Sequence, residues 1–160
     1  MNNVRKIFFL ALSAILLLSC ENGDNNNNNN NNLPNEPEEK SCYTGTMHVD
    51  QNDDNGTIFT QEGVEVDYEI HDAETLNFVM HDVKFSENMP ITLNEMVIEG
   101  VSYTKDGDVY TLSGDGIIPY VQGRPFEMYT LTQIVGTITD DAMTLSFLCG
   151  EYPVTYEGTR

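Results

Sequence analysis

From Tyr43 onward the chain is dominated by strict alternation of apolar and polar positions. In "VEVDYEI" the apolar members are Val64, Val66, Tyr68 and Ile70, and in "LNFVM" they are Leu76, Phe78 and Met80. "MTLSFLC" continues the rule at Met143, Leu145, Phe147 and Cys149, and "YPVTY" at Tyr152, Val154 and Tyr156. Side chains two apart share one face of a strand, so each run predicts a strand with one buried and one wet side. No window of a dozen residues carries a period of 3.6. Clusters of turn formers punctuate the runs: "DQNDDNG" at 50–56, "HDAET" at 71–75, "KDGD" at 105–108, "GDG" at 114–116, "TDDA" at 139–142 and "CGEYP" at 149–153. Asp106-Gly107 between "VSYT" and "VYTL" is the strongest hairpin signal.

The spacing predicts about eight strands, near 43–50, 57–70, 75–85, 90–98, 100–105, 108–113, 126–139 and 142–158, the last a hairpin pair if Pro153 breaks it. Parity changes between Met80 and Val83 and around Gly63 predict β-bulges. Some 120 residues suffice for one domain around a single core. A meander of this kind closes into an up-and-down barrel or folds over as a sandwich.

The first 40 residues follow other rules. Arg5 and Lys6 precede the uncharged run "IFFLALSAILLL", about a dozen residues where a bilayer span needs roughly 20, so 1–19 reads as a secretory signal peptide. Leu17-Leu18-Ser19-Cys20 has the form of a bacterial lipobox, with cleavage before Cys20 and lipid on its sulfur. The expected localisation is the cell envelope, the chain being lipid-anchored through Cys20 to the outer membrane at its surface or periplasmic face. Between the anchor and the barrel, 20–41 contains "ENGDNNNNNNNNLPNEPEEK", which has one aliphatic residue and predicts a disordered tether with a reach on the order of 25 Å. The barrel domain is then 42–160.

Charge removes one class of partner. The chain has 7 Lys+Arg and 26 Asp+Glu. Without Arg5 and Lys6 the balance is 5 against 26, or about −21. Such a surface repels phosphate backbones, which argues against nucleic acid.

Three stretches, "CYTGTMHVDQNDDNGTIFTQEGVEVDYEI", "VSYTKDGDVYTLSGDGIIPY" and "VGTITDDAMTLSFLCG", resemble the calycin-like β-barrel domain of lipoproteins from gut-dwelling Gram-negative anaerobes. The resemblance spans Tyr43 to Thr159 and implies an up-and-down antiparallel barrel related to the lipocalins. It departs from the lipocalins at their Gly-x-Trp signature, since Gly45 and Met47 stand at a similar spacing and the chain has no Trp.

An eight-stranded barrel is either filled by its side chains or keeps a cup for one small ligand. Alternation points Tyr68, Phe78, Met80, Tyr103, Tyr110, Met128, Met143 and Phe147 inward, a set that suits either a plain core or a cup for a small apolar or amphipathic molecule. Catalytic signatures are weak. Ser113 in "LSGDG" does not fit the G-x-S-x-G elbow, and the glycines at 114 and 116 lack the helix that a phosphate loop needs. No cofactor is expected. Metal ligation is disfavoured too: His71 and His81 fall out of register on one hairpin, and the calcium-loop spacing that starts at Asp50 meets Asn55 where glycine is required and Gln61 where an acid is required. The expected function is a non-catalytic binding module, and the alternative is a filled barrel that contacts another envelope protein. A Cys42–Cys149 disulfide is possible in an exported domain, but closing first strand on last separates the two cysteines by roughly a strand length.

Overall fold

In the computed structural model, which describes residues 41–160, the alternating runs become ten strands. They are β1 (Ser41–Asp50), β2 (Ile58–Ile70), β3 (Thr75–Val83), β4 (Leu93–Asp106), β5 (Val109–Gly114), β6 (Tyr120–Val121), β7 (Arg124–Pro125), β8 (Leu131–Ile138), β9 (Ala142–Cys149) and β10 (Tyr152–Thr159). A 3-10 turn covers Glu127–Tyr129. Neighbours run β3-β2-β1-β10-β9-β8-β5-β4, and pairing of β3 with β4 closes the ring into an eight-stranded antiparallel barrel. The short β6–β7 hairpin is added on β4, where Met96 pairs with Val121. The signal segment, Cys20 and the asparagine-rich stretch lie outside the described residues.

Several boundaries differ from the sequence reading. The segments expected at 90–98 and 100–105 are one strand, β4, bent where Gly100 at φ 75° inserts an extra residue opposite Leu76–Phe78. The bulge expected at Gly63 is present, since Gly45 pairs with Val64 and Thr46 with Glu62. Between Met80 and Val83 the parity does change, but without a register shift: Asp82 turns the chain at φ 50°, and Met80–Met96 and Val83–Leu93 keep one register. The last segment divides at Gly150-Glu151 rather than at Pro153, which lies inside β10 opposite Leu148. The strand expected at 126–139 begins only at Leu131. Its first part is the 3-10 turn, so Met128 is 78% exposed rather than inward.

The barrel is filled. Phe78, Met80, Met47, Leu76, Ile98 and Ile138 are 0% exposed, and no polar or charged residue is buried among the described residues. With no water-sized gap beside these side chains, the lumen is packed by its own lining. The outer wall is polar, with His48, Glu62, Thr144, Ser146, Thr155 and Glu157 exposed. Membrane-spanning barrels have the reverse arrangement, an apolar outer band, so this wall faces water.

Closure of β1 on β10 rests on a glycine pair. Gly45 sits opposite Gly158, and a Cβ on Gly45 would run into the Glu157 carbonyl and the Gly158 Cα. Tyr156 lies over Gly158 and donates its hydroxyl to the Tyr43 carbonyl at 2.9 Å, with the Val64 carbonyl 3.2 Å away. One phenol thus ties β10 to both β1 and β2. Cys149 is a free, buried thiol at the β9 end, so it is not joined to Cys42 at the start of β1; burial pushes its pKa up to about 12.

Candidate functional site

Because strands alternate in direction, the start of β1 and the ends of β2, β4, β8 and β10 meet at one mouth of the barrel. Four tyrosines gather there. Tyr43 of β1 stacks on Tyr68 of β2 with ring centroids 6.3 Å apart. Tyr68 reaches Tyr110 of β5 at 6.1 Å, and Tyr110 meets Tyr103 of β4 edge-on at 5.4 Å. Since β2 and β5 are not neighbours in the ring, the Tyr68–Tyr110 contact crosses the lumen and caps the core beneath. Tyr43 is buried, whereas Tyr68, Tyr103 and Tyr110 are half-buried and present ring surface to water.

The phenol groups are anchored to the turns around this mouth. Tyr43 donates to the Thr139 carbonyl at 2.7 Å and Tyr103 to the Asp72 carbonyl at 3.0 Å. Burial raises the Tyr43 hydroxyl to about 12, reinforced by Tyr68 and opposed by the nearby Arg160 guanidinium. Tyr68 is raised for the same first reason, with Tyr110 adding to the effect. Tyr43 and Tyr68 are therefore neutral phenols at physiological pH. Lys105, the register partner of Tyr110, donates to its hydroxyl at 2.9 Å and holds its ammonium 4.6 Å from that ring's centroid. Arg160 donates to the Ser41 hydroxyl at 3.2 Å.

The eight residues expected to line a cup separate into three groups. Phe78, Met80, Met143 and Phe147 are core, at most 2% exposed. Tyr68, Tyr103 and Tyr110 form the mouth, and Met128 lies outside the barrel strands. Tyr43, Lys105 and Arg160 were not among the expected site residues. Tyr43 carried a usable signal, since 43, 47 and 49 share the inward parity of β1. Lys105 follows from the hairpin register once Tyr110 is taken as inward, whereas Arg160 carries no pattern at all.

Other surfaces offer less. A shallow open hollow of about 410 Å³ on the outer wall is edged by Thr137, Thr144, Ser146 and Thr155, and the Thr137 and Thr144 hydroxyls already bond each other at 2.8 Å. In the "DQNDDNG" loop, Asp53 accepts from Thr57 N–H, the Thr57 hydroxyl and Asn55 N–H, bonds that lower its pKa. That carboxylate is engaged by the loop's own donors. His71 sits in the β2–β3 turn, apart from His81 on β3.

His81 has a different setting. Its Nε2 lies 3.4 Å from Asp67 on the outer wall, and its register partners are Glu65 and Glu95. The Asp67 hydrogen bond raises its pKa above 6.5, with the attraction of Asp67, Glu95 and Glu65 acting the same way and partial burial opposing. A raised folded pKa stabilises the fold below the unfolded value of about 6.5, and this contribution is lost as pH rises through the folded value. A proton NMR titration should place His81 above 6.5, and Asp67→Asn should lower it. An unchanged midpoint in that variant would contradict the pairing.

Comparison with protein-family models, with curated proteins and with solved structures finds no match for this chain. Fold and site therefore rest on the residues and their geometry.

Proposed function

We propose that this protein is a lipid-anchored binding module of the bacterial cell envelope, of the calycin-like kind, which holds a small apolar or amphipathic ligand without chemistry. The ligand contacts the tyrosine mouth and not the lumen. The observation that carries this reading is the half-exposed Tyr68–Tyr110–Tyr103 surface on an otherwise filled barrel. Phenols suit such a task because each joins a flat apolar face to a hydrogen-bonding tip. The lipobox at Cys20 supports the anchoring.

A second reading, a filled barrel that meets another envelope protein, draws on exposed apolar side chains towards the opposite end, chiefly Met128 at 78% and Ile91 at 58%. Two measurements separate the readings. Tyrosine-ring carbon signals followed against a metabolite library should move at Tyr68, Tyr103 and Tyr110 under the first. Crosslinking in intact cells should capture one protein partner at Met128 under the second. Anchoring is tested by mass spectrometry of the mature protein, in which an acylated Cys20 thioether is expected. Recovery of Cys20 in a disulfide would exclude it.

A further inference from the structure

The tyrosine mouth carries information about the charge of its ligand. Among the described residues, three turns surround it: β2–β3 with Asp72 and Glu74, β4–β5 with Asp106 and Asp108, and β8–β9 with Asp140 and Asp141. All six carboxylates are exposed, and Lys105 and Arg160 are the basic groups the same mouth sets against them. Anions approaching the rings therefore meet a net negative rim, and cations an attractive one.

A cation already sits on one of the rings. Lys105 is exposed, yet its ammonium bonds the Tyr110 hydroxyl and lies over that ring rather than extending into water. Cross-strand pairing of Lys105 with Tyr110 brings the stem up on the inward side, and the neighbouring Tyr103, two residues earlier on β4, shares that side. Aromatic faces attract ammonium groups through their quadrupole, and the attraction grows as water is displaced. An exposed lysine held by one hydrogen bond and one ring contact can swing into water when a competitor arrives.

We propose that the mouth takes an amphipathic organic cation, an ammonium carried on an apolar or aromatic body, which displaces the Lys105 ammonium from Tyr110 and lays its apolar part across Tyr68 and Tyr103. This rests on the reading of the mouth as the ligand-binding surface and adds the ligand's chemical class. The flanking carboxylates supply long-range attraction, and the rings supply contact.

The test uses the full-length protein with carbon-13-labelled tyrosine rings, titrated with benzyltrimethylammonium and, separately, with phenylacetate, an anion of similar size. The ammonium should shift the Tyr68, Tyr103 and Tyr110 signals, whereas phenylacetate should leave them in place. Lys105→Met removes the internal competitor and should tighten ammonium binding about tenfold. Lys84→Met makes the same change in net charge away from the mouth and should not tighten it. Equal tightening in both variants would reduce the effect to overall charge and overturn the proposal. Phenylacetate moving the rings while the ammonium does not would overturn the cation class and leave the mouth as a binding surface. Silence of both probes, in both the parent and Lys105→Met, would remove the two readings together.

Discussion

Gly45→Ala is expected to destabilise the barrel by at least about 3 kcal/mol, towards the upper end of single-residue effects. The reason is the nature of the obstacle. A Cβ at this position meets the Glu157 carbonyl and the Gly158 Cα, which are backbone atoms with no rotamer to change. Relief requires β1 and β10 to part, and that seam carries the ladder from Thr44–Thr159 to Val49–Val154. Parting the strands also draws the Tyr156 hydroxyl from the Tyr43 carbonyl, and an unmet buried hydrogen bond costs about 1–3 kcal/mol. For a domain of this size the melting temperature should fall by roughly 10 °C or more. Urea unfolding of the two proteins measures the loss directly, and a change below 1 kcal/mol would mean that the seam is looser than the glycine pair implies.

Phe78→Ala is the second large effect, with an expected loss of about 3–5 kcal/mol. Phe78 is 0% exposed on β3, paired with Tyr68 on one side and Ile98 on the other. Truncation in a packed interior removes transfer free energy and also leaves a cavity that neighbours cannot collapse to fill. In a hollow barrel the same truncation would only widen an existing space, and the cavity part of the cost would be absent. A measured loss near 1 kcal/mol would therefore argue for an open lumen.

Alternation made most of the ring legible. Buried faces at Val64–Val66, Leu76–Phe78–Met80, Met143–Leu145–Phe147 and Val154–Tyr156 all follow the two-residue period seen in the sequence. The stretch "IIPYVQGRPFEMY" was not legible, because β6, β7 and the 3-10 turn are too short to show any period. Extending β8 back through it would point Met128 inward, whereas the 3-10 turn leaves it exposed. A related limit applies to the mouth. Tyr68, Tyr103 and Tyr110 were found as inward residues, but alternation fixes the side of a strand and says nothing about height along the barrel. Only the register distinguishes Phe78 in the packed layer from Tyr110 at the rim. Closure by Gly45 and Gly158 was invisible for a similar reason, since their pairing depends on which strands become neighbours.

A full lumen confines the proposed ligand surface to the rim. Xenon diffraction on pressurised crystals addresses this most directly, because xenon enters dry apolar cavities and scatters strongly. The parent protein should show no xenon beneath the tyrosines, and Phe78→Ala should show it at the vacated ring position. A xenon site inside the parent barrel, below Tyr68 and Tyr110, would contradict the account.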